Sequence, residues 1–239
     1  MMNEQPTQQE TRPNPPEPST GRLQVLATEH WSLLATRSLT YTESFTRVSM
    51  FLSVLTGAVV ALALFAQVDH FHETFLTAAI FILFVVAFVG LVTLSRVGAL
   101  NRENFRLVTG MNRLRHAYLE MYPDLETYFV ASSHDDFRGF GVTMSLPIAA
   151  RLTFFASLAQ GFQSLPAMLA VIVTMVAGLL GALLAAAFGA STLIAVIVAA
   201  IVFVLANVAI GFTAQRAFFA FAREMPARFP SPSEPPAEK

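Results

Sequence analysis

The chain has 239 residues, 54% of them hydrophobic and only 13% charged, with a formal net charge of -1, whereas soluble domains average roughly 25% charged residues. That balance excludes a chain solvated by water alone. There is no cysteine, which excludes disulfides, thiolate chemistry and cysteine-ligated zinc or iron–sulfur sites.

Residues 1–20 carry Glu4, Glu10 and Glu17 among five prolines. They lack the basic start and short apolar core of a signal peptide, so a disordered tail is predicted and no cleavage is expected. From Leu23 the pattern changes. Ala27, Trp31, Leu34, Ser38, Tyr41, Phe45 and Val48 recur at spacings of four and three, which puts them on one helical face. No Pro or Gly interrupts this run, so the helix is predicted to continue into a first membrane span at 48–66, as one rod of about 40 residues. That span carries small residues every fourth position, Ser53, Gly57 and Ala61, a spacing that lets helix backbones approach closely in lipid.

Residues 67–74 are a short connector containing Asp69, His70, His72 and Glu73. The spacing matches no helical metal pair, and a hydrated polar turn is expected. A second span at 75–94 closes at Arg96. Beyond it, Leu100, Asn104, Leu107, Met111, Leu114, Tyr118 and Met121 repeat with the same four-three alternation. This seam needs a partner, either the antiparallel segment near Trp31 or the same helix in another copy. Asn104 stands where a polar residue fixes register in coiled coils. Pro123 ends the helix.

Residues 122–147 are less regular and contain Ser132, Ser133, His134, Asp135, Asp136 and the run Gly139 to Gly141. Two readings apply: a His-Asp-Asp ligand loop, or a turn whose Ser and Asp cap flanking helices. The turn is the expected one. Residues 151–163, with Leu152, Phe154, Phe155 and Leu158, are expected in the membrane interface. Between Arg151 and Arg216 lie 64 residues without a charged side chain, enough for two further spans, at 167–188 and 192–212, broken at 189–192. The third span has its own small-residue stripe, Ala177, Gly181, Ala185 and Gly189. In the fourth, Asn207 is the most polar side chain of any span, and an interhelical hydrogen bond is its expected use. Residues 226–239 are again polar and proline-rich, a predicted disordered tail.

Every basic residue lies before the first span, between the second and third, or after the fourth, and the two short connectors have none. Basic residues near spans stay inside, so both termini and the middle domain are expected to be cytoplasmic. The fold class expected is all-α: a four-transmembrane-helix bundle with long cytoplasmic helical extensions of the first two spans. Its units are a tail (1–20), a helix with the first hairpin (21–97), a helical middle domain with an interfacial segment (98–165), the second hairpin (166–213) and a short helix with a tail (214–239). The spans hold no ionisable group, which argues against a proton- or ion-coupled transporter. No phosphate-binding loop, nucleophile elbow or metalloprotease helix is present. No enzyme activity, cofactor, metal or nucleic-acid partner is therefore expected.

The stretches ATRSLTYTESFTRVSMFLSVLTGAVVALALFAQ (35–67) and VTGMNRLRHAYLEMYPDLETYFV (108–130) resemble a bacterial group of uncharacterised multi-pass membrane proteins. The resemblance covers much of residues 25–215. It implies location in the cell membrane and a multi-span topology, and no catalytic residues. In layout, residues 23–121 also resemble the two-span SLATT-type effector domains, from which the third and fourth spans depart. The leading functional expectation is a non-catalytic membrane protein that self-associates or scaffolds partners. Others are a homo-oligomeric channel or membrane-permeabilising effector, lined by Asn207 or threonine faces, and an accessory subunit of a transport or envelope complex. Its expected partners are lipid, a second copy and another membrane protein.

Overall fold

Long uninterrupted runs of Leu, Val, Ile, Phe and Ala leave the backbone no local alternative to the helix, and four helices dominate the chain. The structure is a computed structural model and describes residues 20–69, 73–146 and 164–232. Helix α1 spans Thr20–Asp69 and α2 spans Glu73–Met121. At 50 and 49 residues each is about 75 Å long, more than twice a hydrocarbon core of about 30 Å. A 3-10 turn, Pro123–Tyr128, and the short α3, Phe137–Thr143, follow. Helices α4, Leu165–Ala187, and α5, Thr192–Glu224, complete the fold. All four long helices are apolar enough to cross a membrane, and there is no strand among the described residues.

The expected starts and stops have visible causes. Ser164 caps α4, its hydroxyl accepting from Ala167 N, with Pro166 in the first turn. Ser191 caps α5 in the same way through Ile194 N. Between them Gly189 adopts a φ of +77°, its N–H donates to Ala186 O, and Ala190 N–H reaches Ala185 O. This left-handed closure favours glycine. The fourth span expected at 192–212 and the short helix expected from 214 form one continuous helix, α5, ending at Glu224, whose Phe218 and Phe221 seat against Phe105 of α2, at ring-centroid distances of 5.3 and 6.4 Å.

The helices pack as a row: α1 against α2, α2 against α4, α4 against α5, while α1 and α5 share no substantial interface. Burial follows this order. In their most apolar windows 22% of α2 and 33% of α4 is buried, against 11% of α1 and 6% of α5. The apolar core joins Val48 and Phe51 of α1, Leu83, Val86 and Ala87 of α2, and Leu169, Val173 and Val176 of α4. Gly90 marks its tightest point, where an added Cβ would lie 2.8 Å from Val173 Cγ2 and 3.0 Å from the Phe51 ring.

The tail at 1–19, His70 and His72 of the first connector, the interfacial segment at 151–163 and residues 233–239 lie outside the described residues.

Candidate functional site

The α2 seam is buried at Leu100, Asn104, Leu107 and Met111 and half-buried at Leu114 and Tyr118. Of its two expected partners, the structure brings it the antiparallel α1 of the same chain. Arg37 Nε donates to Asn104 Oδ1 at 3.0 Å, and the His30 ring stacks on Tyr118 with centroids 6.0 Å apart. The face α1 presents, however, is not the apolar one. Thr40 and Ser44 are buried, as is Val48 of the expected stripe, whereas Trp31 is 71% and Phe45 58% exposed. Small hydroxyl side chains permit the close approach here, and each satisfies itself on its own helix, Thr40 Oγ1 on Thr36 O and Ser44 Oγ on Thr40 O. The bulky stripe is left outside. Where the row meets the expected membrane border, Glu43 accepts from Arg96 Nε and Nη2 at 2.9 and 3.1 Å and from Arg47 at 2.8 Å. The Arg96 and Arg47 guanidinium groups hold the Glu43 carboxyl below its ordinary range.

The two small-residue stripes have different fates. Ser53, Gly57 and Ala61 are all exposed, and a Cβ on Gly57 would meet nothing within 4 Å. This stripe lies on the side of α1 opposite Phe51, Leu55, Ala58 and Leu62, the residues that pack on the core. The α4 stripe does contact its neighbour, but through a shifted set of residues. Gly181 sits under Val198 and Val202 of α5, and Gly178, outside the expected stripe, comes closest, its Cβ position 2.9 Å from Ala199 O. Ala177 and Ala185 are half-buried, while Gly189 serves the turn instead of the packing face. Asn207 Nδ2 donates across the same interface to Thr174 Oγ1 at 2.6 Å and to Phe203 O within its own helix at 3.0 Å.

The most intricately bonded polar group is the loop at 132–136. Asp136 caps α3, its Oδ1 accepting from Gly139 N at 2.7 Å, and Gly139 is obligatory because a Cβ there would overlap the His134 carbonyl. Asn112, fully buried on α2, ties the loop down: Nδ2 donates to His134 O, and Oδ1 accepts from Thr143 and Arg115. Asp135, with a side chain 0% exposed, pairs with Arg113 Nε at 2.6 Å. Burial alone would raise the Asp135 carboxyl, but the N–H groups of Arg228 and Phe229 and the Arg113 guanidinium outweigh it and hold it low.

Those two N–H groups belong to the segment after α5, which was expected to be featureless from residue 226. Residues 226–231 instead lie along the loop. Arg228 N and Phe229 N donate to the Asp135 carboxylate at 2.9 and 2.7 Å, and Asp135 N donates back to Phe229 O at 3.2 Å. Ser231 N and Oγ both donate to Asp136, at 2.8 and 2.9 Å. Arg113 Nη2 donates to Pro226 O at 3.1 Å, and the Phe229 ring stacks on His116, centroids 3.9 Å apart and 22° between planes. Asp136, like Asp135, would be raised by burial and is instead held low, by the N–H groups of Gly139 and Ser231 and the Ser231 hydroxyl. Sequence reasoning missed Asn112, Arg113 and the whole strap. The signal for it was Phe229, a single aromatic in an otherwise polar tail.

No family model matches the chain, no curated protein is similar to it, and no solved structure matches its fold.

Proposed function

We propose that this is a non-catalytic, multi-pass protein of the cell membrane, with both termini cytoplasmic, that assembles with further copies of itself through the outward side of α1. The observation that carries the reading is what α1 presents at its edge of the helix row, one of the row's two open edges. Along one rod, a small-residue stripe in the apolar half (Ser53, Gly57, Ala61) and a bulky apolar stripe in the arginine-bearing half (Trp31, Phe45) both lack a partner within the described residues. In lipid, small residues support helix association by close backbone approach; in water, an exposed Trp and Phe on one helix favour burial by a second surface. The distribution of arginines supports the orientation, and four helices long and apolar enough to cross a membrane support the location.

The absence of cysteine makes the test direct. Ser53→Cys and Phe45→Cys, oxidised in native membranes, are expected to give disulfide-linked dimers, while Val86→Cys in the core gives none. Monomer alone at both outward positions, with the chain intact, refutes the reading. A channel made by several copies is the second reading. Its pore would be lined where copies meet, because Asn207 is engaged with Thr174. The same membranes, reconstituted and tested for ion or dye flux, decide it.

A further inference from the structure

The strap that follows α5 is held in an unusual way. Of its hydrogen bonds and ring contacts with α2 and the loop among the described residues, only those of the Phe229 ring and the Ser231 hydroxyl are made by strap side chains. The rest is main chain: three N–H groups, from Arg228, Phe229 and Ser231, are taken by two carboxylates, and the carbonyls of Pro226 and Phe229 are taken by Arg113 and by Asp135 N. The exchange of hydrogen bonds between Asp135 and Phe229 resembles the way extended peptides are recognised along a backbone edge, with affinity from main chain and selectivity from single side-chain pockets. Pro230 falls between Phe229 and Ser231, where no N–H is required, so the missing donor leaves nothing unsatisfied.

The receiving surface stands without the strap. Asn112 to His134 O, Thr143 to Asn112, Ser132 N to Thr143 and the Asp136 cap of α3 are all bonds within α2, the loop and α3. Phe229 and Ser231 are only half-buried, Arg228 and Pro230 are exposed, and the strap is joined to α5 through Met225 alone. A preformed shelf with two carboxylates, and a segment that satisfies them mainly through its backbone, are the parts of a binding site and its ligand.

We propose that Arg113, His116, Asp135 and Asp136 form a docking site for an extended aromatic–proline–serine peptide, filled here by the chain's own residues 226–231 and open to a segment of the same chemistry when that strap lifts. Tethering gives the strap an effective concentration of the order of millimolar, so the cis form dominates until charge or competition displaces it. Negative charge at Ser231 would do so directly, because its hydroxyl lies 2.9 Å from an Asp136 oxygen. This inference is independent of assembly through α1, which lies across α2 from the shelf.

The test uses the full chain in detergent or nanodiscs and a fluorescent synthetic peptide of residues 225–232. The double variant Phe229→Asp/Ser231→Glu removes the ring from His116 and sets a carboxylate against Asp136, and is expected to lift the strap, read as new tryptic cleavage after Arg228. It should then bind the peptide saturably and at least about tenfold tighter than wild type, whose shelf is occupied. A peptide carrying the same two substitutions should not bind, nor should the triple variant that adds Asp135→Asn. Cleavage after Arg228 without peptide binding overturns the proposal, as does equal binding of a scrambled peptide. A double variant that no longer folds overturns it too, because the strap is then part of the fold. The single variant Ser231→Glu, which leaves Phe229 on His116, checks that outcome by the same two readouts.

Discussion

Along α2 two kinds of packing meet. From Ala79 to Val97 its buried residues are apolar and face apolar partners, with Gly90 making room for Val173 and the Phe51 ring. From Leu100 to Asn112 the buried set includes Asn104, Thr109 and Asn112, with Arg37 of α1 bonded to Asn104 and the next α2 residue, Arg113, paired with Asp135 of the loop. The first half leaves Phe81, Phe84 and Phe88 more than half exposed. That arrangement suits a lipid solvent, where apolar surface outside is free and shape alone holds helices together. The second half behaves more like a protein in water, where Asn104 and Asn112 are buried with hydrogen-bond partners, although the buried Thr109 hydroxyl has none. The same helix therefore rests on shape at one end and on hydrogen-bond stoichiometry at the other.

The comparison can be broken from either side. Gly178→Val puts a branched side chain against Ala199 O and should cost about 3 kcal/mol by forcing α4 and α5 apart, measured as loss of helicity on titration with a denaturing detergent. Arg113→Met removes the cation from the buried Asp135 carboxylate while two backbone N–H bonds remain, and should cost about 2 kcal/mol at neutral pH. Because Asp135 is held below its ordinary range when folded, its contribution is complete above the unfolded carboxyl pKa and is lost as pH falls through the lowered folded value. The gap between wild type and Arg113→Met should therefore begin to narrow as pH falls below about 4 and close only below the lowered folded value, and a gap that does not narrow over that fall contradicts the assignment. Asn207→Leu, the one polar contact expected to matter among the apolar helices, should cost about 1 kcal/mol and leave the strap untouched by tryptic cleavage. Smallest of all, Glu43→Gln at the border should change stability slightly and only at low ionic strength, since exposed ion pairs are screened. A salt-independent loss would show that the border cluster is more than a surface contact.

How far the sequence could be read differs between the halves for the same reason. Span positions and the closures at Pro166, Ser191 and Gly189 follow from run length and capping chemistry, both local. The α2 seam was legible because its apolar members also happen to be the buried ones. The α1 face was misread at Trp31 and Phe45 because periodicity finds the bulkiest stripe, and here the helix contact runs instead through Leu33, Arg37, Thr40 and Ser44. The loop at 132–136 was recognised as a capping turn, but nothing local in Asp135 announces that its partners sit at 113, 228 and 229.

The sequence alone determined that this chain is four long apolar helices, because a charge-free run of sufficient length has one outcome wherever it is placed. Only the tertiary structure decided that the helices stand in an open row, that α1 turns its small polar side inward, and that the tail lies across two aspartates. Those choices depend on which surfaces approach closely enough to exclude everything else, and on donors and acceptors far apart in the chain.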